Sequence, residues 1–288
     1  MIPWFSIIAY SSAWSFGSQI FSSLGKDMPM IQLNFLKATF AFFLFLIVAL
    51  LGGNLFIHPQ AIFFLLLSGI LGFAIADLFL FYALAHLGAS RTLMLASFAP
   101  SLIALQAYFL LGLTLSFSKI IGIILMISCV FFLSFEKKSR GSFSWKLAGI
   151  AFIGISLDSL GVIFSKKAFM LDPHLGGFSA NVYRVGIAVV FLFLLNLKTR
   201  YSLNYFHLPS PKLKLLLIAT ILGNFFSLGM YLQAISKTNP AIVSGIGGAL
   251  APIIASICEH IRKKEPPTLW FLTGVATMIG GAVIFIFF

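Results

Sequence analysis

Ten apolar runs follow one another along this chain, each about as long as the hydrocarbon core of a bilayer is thick. They cover residues 2–24, 30–51, 61–86, 90–111, 115–135, 147–169, 177–197, 213–235, 241–261 and 267–288. About 20 apolar residues span such a core as a helix. No water is present there to satisfy unpaired backbone groups, so a spanning segment must be a helix or part of a closed barrel. A barrel would alternate polar with apolar residues, and these runs do not. The sequence therefore predicts an all-α integral membrane protein with ten transmembrane helices. Composition agrees: of 288 residues, 60% are apolar and 9% charged, with a mean hydropathy of +1.06. A soluble domain carries roughly a quarter charged residues, so this chain cannot cover a globular surface with charge. Between the runs no stretch is long enough for a separate soluble domain.

The net charge of +12 would suit nucleic acid only if it formed a basic face on a folded domain. Here the basic residues sit in short runs between apolar segments, as membrane anchors do, and nucleic acid is not expected as a partner. Trp4, Trp145 and Trp270 open three of the runs, where amphipathic rings sit at the headgroup level. The opening MIPWFSIIAYSSAWSFG has no Lys or Arg before Lys26 and no small-residue cleavage site, so it is expected to be retained as the first span. Cys129 and Cys258 lie inside apolar runs and imply no disulfide framework. No HExxH or CxxC spacing and no acidic cluster points to a metal, and no cofactor is expected. The P-loop pattern for ATP is absent as well.

The most polar loop, EKKSRGSFSWK at 136–146, divides the chain near its midpoint. Features recur on either side of it in one order. NFLK (Asn34 to Lys37) opens the second run, and NVYR (Asn181 to Arg184) the seventh. Gly72 precedes Ala83 as Gly223 precedes Ala234, and Ala89 precedes Pro100 as Ala241 precedes Pro252. Gly122 follows Pro100 as Gly274 follows Pro252, and one inserted residue between Ala234 and Ala241 keeps the series in register. The expected organisation is two five-helix repeats, 1–138 and 139–288. An odd number of helices in each forces the repeats into opposite orientations. Inverted repeats are the architecture of alternating-access transporters, with the solute site near the midplane between them.

With these features the chain resembles the drug/metabolite transporter superfamily, specifically its ten-helix EamA-type members. The carrying residues are Pro29 to Lys37, GILGFAIADLFLFYALAHLGAS, ILGNFFSLGMYLQAISKTNPA, Pro100 and Pro252, and the glycine-bearing fifth and tenth runs. The family commonly has Glu just before its fifth and tenth helices: Glu265 fills the second place, and Leu113 stands at the first. It often has Trp in the middle of helices 1 and 6. Trp14-Ser-Phe-Gly agrees with that, whereas the sixth run reads Asp158-Ser-Leu-Gly. The resemblance implies a bacterial inner-membrane exporter or exchanger of small metabolites such as amino acids, with helices 5 and 10 at the lipid-facing edge.

Four charges lie well inside the runs: Lys37, Asp77, Asp158 and Arg184. Each costs about 2.5 kcal/mol or more near the bilayer centre, so each needs a partner and marks a functional hypothesis. Lys37 and Asp77 both lie roughly 13 Å from the same side at 1.5 Å per residue. Arg184 and Asp158 lie at similar depth from the other side. Two ion pairs are therefore expected, one in each half of the membrane. Structural readings compete: Lys37 or Arg184 can snorkel to an interface, and the pairs can simply hold helices together. A carboxylate has no long stem, which favours Asp77 and Asp158 for solute or proton handling. Desolvation favours the protonated acid and a nearby cation the carboxylate, so such a group can exchange protons as a cavity opens.

Trp14, Gln19, Asn34, Gln106, Asn181, Asn224, Tyr231 and Gln233 are uncharged candidates, set by the resemblance in helices that line the central cavity. Hydrogen bonds between helices explain most residues of this kind. Trp14 stands apart because it is mid-span and could stack on a solute. Pro100 and Pro252 each remove a helical hydrogen bond and are candidate hinges, with packing kinks as the alternative.

Of the nineteen Lys and Arg, thirteen fall in the loops after runs 1, 3, 5, 7 and 9, Arg91 among them. Only Lys119, Lys166, Lys167 and Lys237 fall on the other side. This count places both termini outside, whereas the resembled family has them in the cytoplasm. The expected function is secondary active transport rather than catalysis, by a monomer or homodimer in the bilayer. Proton coupling is expected at one of the two carboxylates. An intramembrane lipid-modifying enzyme, a non-transporting partner in a membrane complex and a channel are the alternatives.

Overall fold

The computed structural model describes residues 4–52, 57–112, 116–134, 144–205, 208–264 and 266–287. Leu113, Glu265 and the basic cluster Lys137, Lys138 and Arg140 lie outside them. The described residues form helices and no strands. In chain order these are α1 (Trp4–Leu24), α2 (Met30–Gly52), α3 (Pro59–Leu87) and α4, built from Ala89–Ala96 and Ala99–Leu111. Then follow α5 (Phe117–Ser134), α6 (Trp145–Leu171), α7 (Gly177–Thr199), α8 (Ser210–Lys237), α9 (Pro240–Lys263) and α10 (Leu269–Phe287). Six of them, α2, α3, α4, α6, α7 and α8, are long and apolar enough to cross a membrane.

Helix starts follow the local chemistry. Proline occupies the first turn of α3, α8 and α9, where its missing N–H is no loss. The Asn239 side chain accepts the Ala241 N–H at 2.9 Å to cap α9, and Ser144 caps α6 through Leu147. Trp4, Trp145 and Trp270 stand exposed in the first turns of α1, α6 and α10.

The loops sort into two groups at opposite ends of α2, which is about 34 Å long at 1.5 Å per residue. At one end Lys212 pairs with Asp27 at 3.0 Å, and Gln32 donates to the Ser202 carbonyl at 2.7 Å. At the other, the His58 N–H reaches Asp172 at 3.2 Å, and Lys166 donates to the carbonyls of Ile235 and Thr238 at 3.0 Å each. Lys166 therefore ties the end of α6 to the end of α8 instead of lying free in a loop. Arg91 also departs from its expected place. It is 3% exposed, in the first turns of α4, so it is no loop cation and drops out of the charge count.

α2 packs along α7, and α5 along α10. α1 lies against α8 and α9, much as α6 lies against α3 and α4. Both α3 and α8 change to π-helical winding in mid-course, at Gly69–Ile75 and Thr220–Phe226. At each change a glycine meets a glycine on the crossing helix. A Cβ on Gly17 would stand 2.6 Å from the Gly223 Cα, and one on Gly161 would stand 3.0 Å from the Gly72 Cα. Bare backbone is what lets α1 cross α8, and α6 cross α3, at this distance.

The two prolines do not behave alike. Pro252 lies inside the unbroken α9, whereas α4 turns at Ser97 and Phe98 and Pro100 opens its second piece. Pro252 has no N–H to give the carbonyl of Gly248, one turn back. The Ser97 hydroxyl supplies that missing bond at 2.7 Å. The break in α4 thus repairs the proline defect in α9, and the expected pair of equivalent mid-helix kinks is corrected to one break and one bridged proline.

Replacing Gly17 with Ala is expected to lower the thermal stability of the detergent-solubilised protein by about 1–3 kcal/mol, because a methyl group would have to push two backbones apart. Gly149→Ala, on exposed helix with nothing within 4 Å, is expected to be neutral or to stabilise by about 0.5–1 kcal/mol. Unfolding midpoints of the two variants, followed by size-exclusion chromatography after heating, check the contrast.

Candidate functional site

A cavity of about 160 Å3 lies among α1, α3, α4, α6, α7, α8 and α9. None of the described lining residues comes from α5 or α10, which pack chiefly on each other. Both π-helical segments form part of the wall, through Gly72 and Phe73 on α3 and Gly223 and Asn224 on α8.

Three of the four charges inside the runs, Asp77, Asp158 and Arg184, line the cavity, and Lys37 pairs with the first of them. Lys37, on α2, is wholly buried and forms an ion pair with Asp77, on α3. Its ammonium also lies 4.1 Å from the centre of the Phe73 ring and 4.4 Å from that of Phe81. A cation over an aromatic face is attracted by the ring quadrupole, so Lys37 is held from three directions. Asp77, 13% exposed, shows its outer side to the cavity.

Arg184, on α7, is 1% exposed. Its Nε donates to the Ser68 hydroxyl at 2.8 Å and its Nη1 to the Asn181 side-chain oxygen at 3.1 Å. Ser68 is itself fixed to α6, through the Gly161 carbonyl at 2.6 Å and the Ser165 hydroxyl at 2.8 Å. Asp158 sits at the midpoint of α6 and lines the cavity beside Arg184. The two form no ion pair among the described residues. The expected second pair is thus corrected: hydrogen bonds hold the guanidinium, and Asp158 faces open space. Asp77, Asp158 and Arg184 line one cavity and Lys37 is paired to Asp77, so the charges meet at one site instead of forming two separate pairs. Depth along each helix had suggested separate pairs, but depth says nothing about which way a side chain points.

The uncharged candidates divide into lining residues and helix ties. Trp14, Asn224 and Tyr231 line the cavity. Tyr231 bonds the Ser244 hydroxyl at 2.6 Å, and its ring lies 4.8 Å from that of Tyr10. Asn34, Gln106, Asn181, Gln233 and Gln19 do not reach the cavity; they join helices or backbone. Asn34 donates to the Ala74 carbonyl at 3.0 Å, Gln106 to that of Ser156 at 3.1 Å and Gln19 to that of Ala255 at 2.9 Å. Gln233 accepts the Gly177 N–H at 2.8 Å, and Asn181 positions Arg184. Sequence reasoning missed Tyr10, Thr92, Ser227 and Ser244 in the wall. Tyr10 alone carried a signal, standing one helical turn before Trp14 on the same face.

Replacing Lys37 with Met leaves Asp77 buried without its partner, which costs about 3–5 kcal/mol for a pair of this kind. The double variant Lys37→Met, Asp77→Leu is expected to recover most of that loss. Thermal unfolding of both single variants and the double gives the coupling directly.

Residues 1–135 and again 145–287 match the EamA-like transporter family. An uncharacterized transporter of Bacillus subtilis (strain 168), YetK, is 25% identical over 229 residues, which is 77% of this chain and 67% of that one. A protein of known crystal structure superposes with a TM-score of 0.72 at 15% identity, covering 97% of this chain and 95% of its own, and so shares the fold. With apolar helices of membrane-crossing length and a match over nearly its whole length, this multi-pass membrane protein belongs to the EamA-like transporter family.

Proposed function

We propose that the protein is a secondary active transporter that exports or exchanges small metabolites, such as amino acids or related solutes, across the bacterial inner membrane. It works by alternating access around the cavity described above. The observation that carries this reading is one cavity holding an Asp158 without an ion pair among the described residues, the outer side of Asp77 and a hydrogen-bonded Arg184. Charges are costly inside a bilayer, and a wall that only packed helices would have no use for them.

In this reading all ten helices cross the membrane, as two inverted five-helix repeats, 1–138 and 139–288. Support comes from the paired π-helical segments, from the matching glycine crossings and from the loops that meet at opposite ends of α2. The two separate family matches, on either side of residue 140, favour the same division. The reading is of a monomer or a homodimer. The solute enters when the repeats part on one side and leaves when they part on the other.

Proton coupling falls to Asp158 before Asp77, because Asp77 already has a fixed cation and Asp158 does not. Uptake from a mixed metabolite pool into proteoliposomes, with and without a pH gradient, tests the proposal. The expected result is accumulation that depends on the gradient in the unmutated protein and no longer does so in an Asp158→Asn, Asp77→Asn double variant. Gradient-dependent uptake that survives both substitutions would refute proton coupling. No uptake of any solute by correctly folded protein would favour a non-transporting partner.

A further inference from the structure

We propose that the end of the protein carrying Arg200 and Lys264 is a docking surface for anionic phospholipid, with Arg200 as the residue that receives the headgroup phosphate. The proposal requires a protein set in a bilayer and does not require transport, so it stands apart from the reading above.

Two strained helix ends motivate it. α7 closes at Arg200 (φ 57°, ψ 31°) and α9 at Lys264 (φ 55°, ψ 31°), both in the left-handed conformation. A Cβ crowds the backbone there, so glycine is the usual occupant. The chain follows that preference at the opposite end of the molecule, where α4 closes at Gly112 (φ 67°). Among the described residues, Arg200 and Lys264 are the two of positive φ that are not glycine, and both are cations. They also share an end. α9 starts beside Thr238, at the end where Lys166 binds, and runs about 36 Å toward the end of Lys26 and Arg200. The helix dipole does not call for them, because it acts on the last turn and Lys198 and Lys263 already stand in those turns.

The turn that presents Arg200 is held in place. Its N–H reaches the Asn196 carbonyl at 2.7 Å. The Asn196 side chain is buried and spent on the same turn. It donates to the Tyr201 carbonyl at 2.9 Å, and it accepts the Tyr201 N–H and the Thr199 hydroxyl at 3.1 Å each. Further on, Gln32 donates to the Ser202 carbonyl and the Tyr205 hydroxyl to that of Leu36, which fastens the loop across α2. Arg200 is therefore an exposed side chain on a fixed backbone.

The surroundings select the partner. Lys26, Lys146, Lys198 and Lys214 are exposed at the same end, and Asp27, the acid beside Lys26, is occupied by Lys212. Such a surface attracts phosphate, and a guanidinium offers it two parallel donors, which a glycine at the cap could not. Val190, Phe193, Leu194 and Leu197 are exposed in i, i+3, i+4, i+7 order along one face of α7, up to Lys198. A phospholipid lays its chains along that stripe with its phosphate at Arg200. A soluble polyanion would match the cations and leave the stripe unmatched.

The test titrates the purified full-length protein, in neutral detergent, with phosphatidylglycerol or phosphatidylcholine. Retained lipid is counted by native mass spectrometry, and melting is followed in parallel. Phosphatidylglycerol is expected to bind more tightly and to raise melting further than phosphatidylcholine. That difference is expected to shrink at about 1 M salt, where charges are screened over about 3 Å. Arg200→Gly relieves the strained turn, so melting without lipid is expected to stay the same or rise while phosphatidylglycerol binding weakens about fivefold. Adding Lys264→Gly is expected to bring the loss to about twentyfold. Arg200→Lys keeps the lipid preference, and Arg200→Gln loses it with no gain in melting. Lys237→Gln, at an exposed cation of the opposite end, leaves binding as it was. Unchanged phosphatidylglycerol binding by Arg200→Gly would reduce Arg200 to a helix cap and overturn the proposal, as would equal binding of the two lipids. A soluble polyphosphate that binds as tightly as phosphatidylglycerol and displaces it would overturn the assignment to lipid.

Discussion

A charge inside a bilayer has to be answered by an opposite charge, by hydrogen bonds or by water, and the arrangement of α2, α3, α6 and α7 follows from how four such charges are answered. Lys37 and Asp77 satisfy each other, with two phenylalanine rings closing over the ammonium. That fixes α2 against α3. Arg184 takes its bonds from Ser68 and Asn181, and Ser68 is tied to α6, so one guanidinium holds α3, α6 and α7 in a single arrangement. Asp158 is left to the cavity. Removing these groups would leave the helices mostly with apolar packing, which in lipid gives little preference for one neighbour over another.

Several features of the scaffold occur twice, while the chemistry beside them does not. Glycine crossings, π-helical segments and polar opening turns, on α2 and α7, each occur twice. With Gly17 set against Gly161 and Gly72 against Gly223, however, Trp14 and Asp77 stand where the other set has Asp158 and Leu228. Such a difference leaves backbone packing undisturbed, since none of these positions is a glycine crossing. It gives the cavity two unlike walls.

Most of the helices were legible in the sequence, because hydropathy over about 20 residues is what a bilayer selects for. The shorter events were not. A π turn is as apolar as an α turn, so Gly69–Ile75 and Thr220–Phe226 leave no mark in a hydropathy pattern. Pro100 and Pro252 gave the same signal and different structures, since the outcome depends on whether another helix supplies the missing donor, as Ser97 does for Gly248. Arg91 read as a loop cation because charge next to a run suggests an end, yet α4 begins before it. Among the polar residues, type and depth were enough to single out Lys37, Asp77, Asp158 and Arg184. They could not separate Asn224, which faces the cavity, from Asn34, which faces another backbone. That distinction lies in rotation about the helix axis, and tertiary packing sets it.

The π-helical segments also bear on how such a protein changes over generations. A residue added to a regular helix turns everything beyond it by about 100°, since 3.6 residues complete a turn. In α3 that would swing Asp77 out of the cavity and toward lipid or a neighbouring helix. A wider turn absorbs an extra residue within itself. The stretches around Gly72 and Gly223 are therefore where these two walls can lengthen or shorten by a residue while Asp77 and Tyr231 go on facing inward, so that the lining can be edited without rebuilding the helices that carry it.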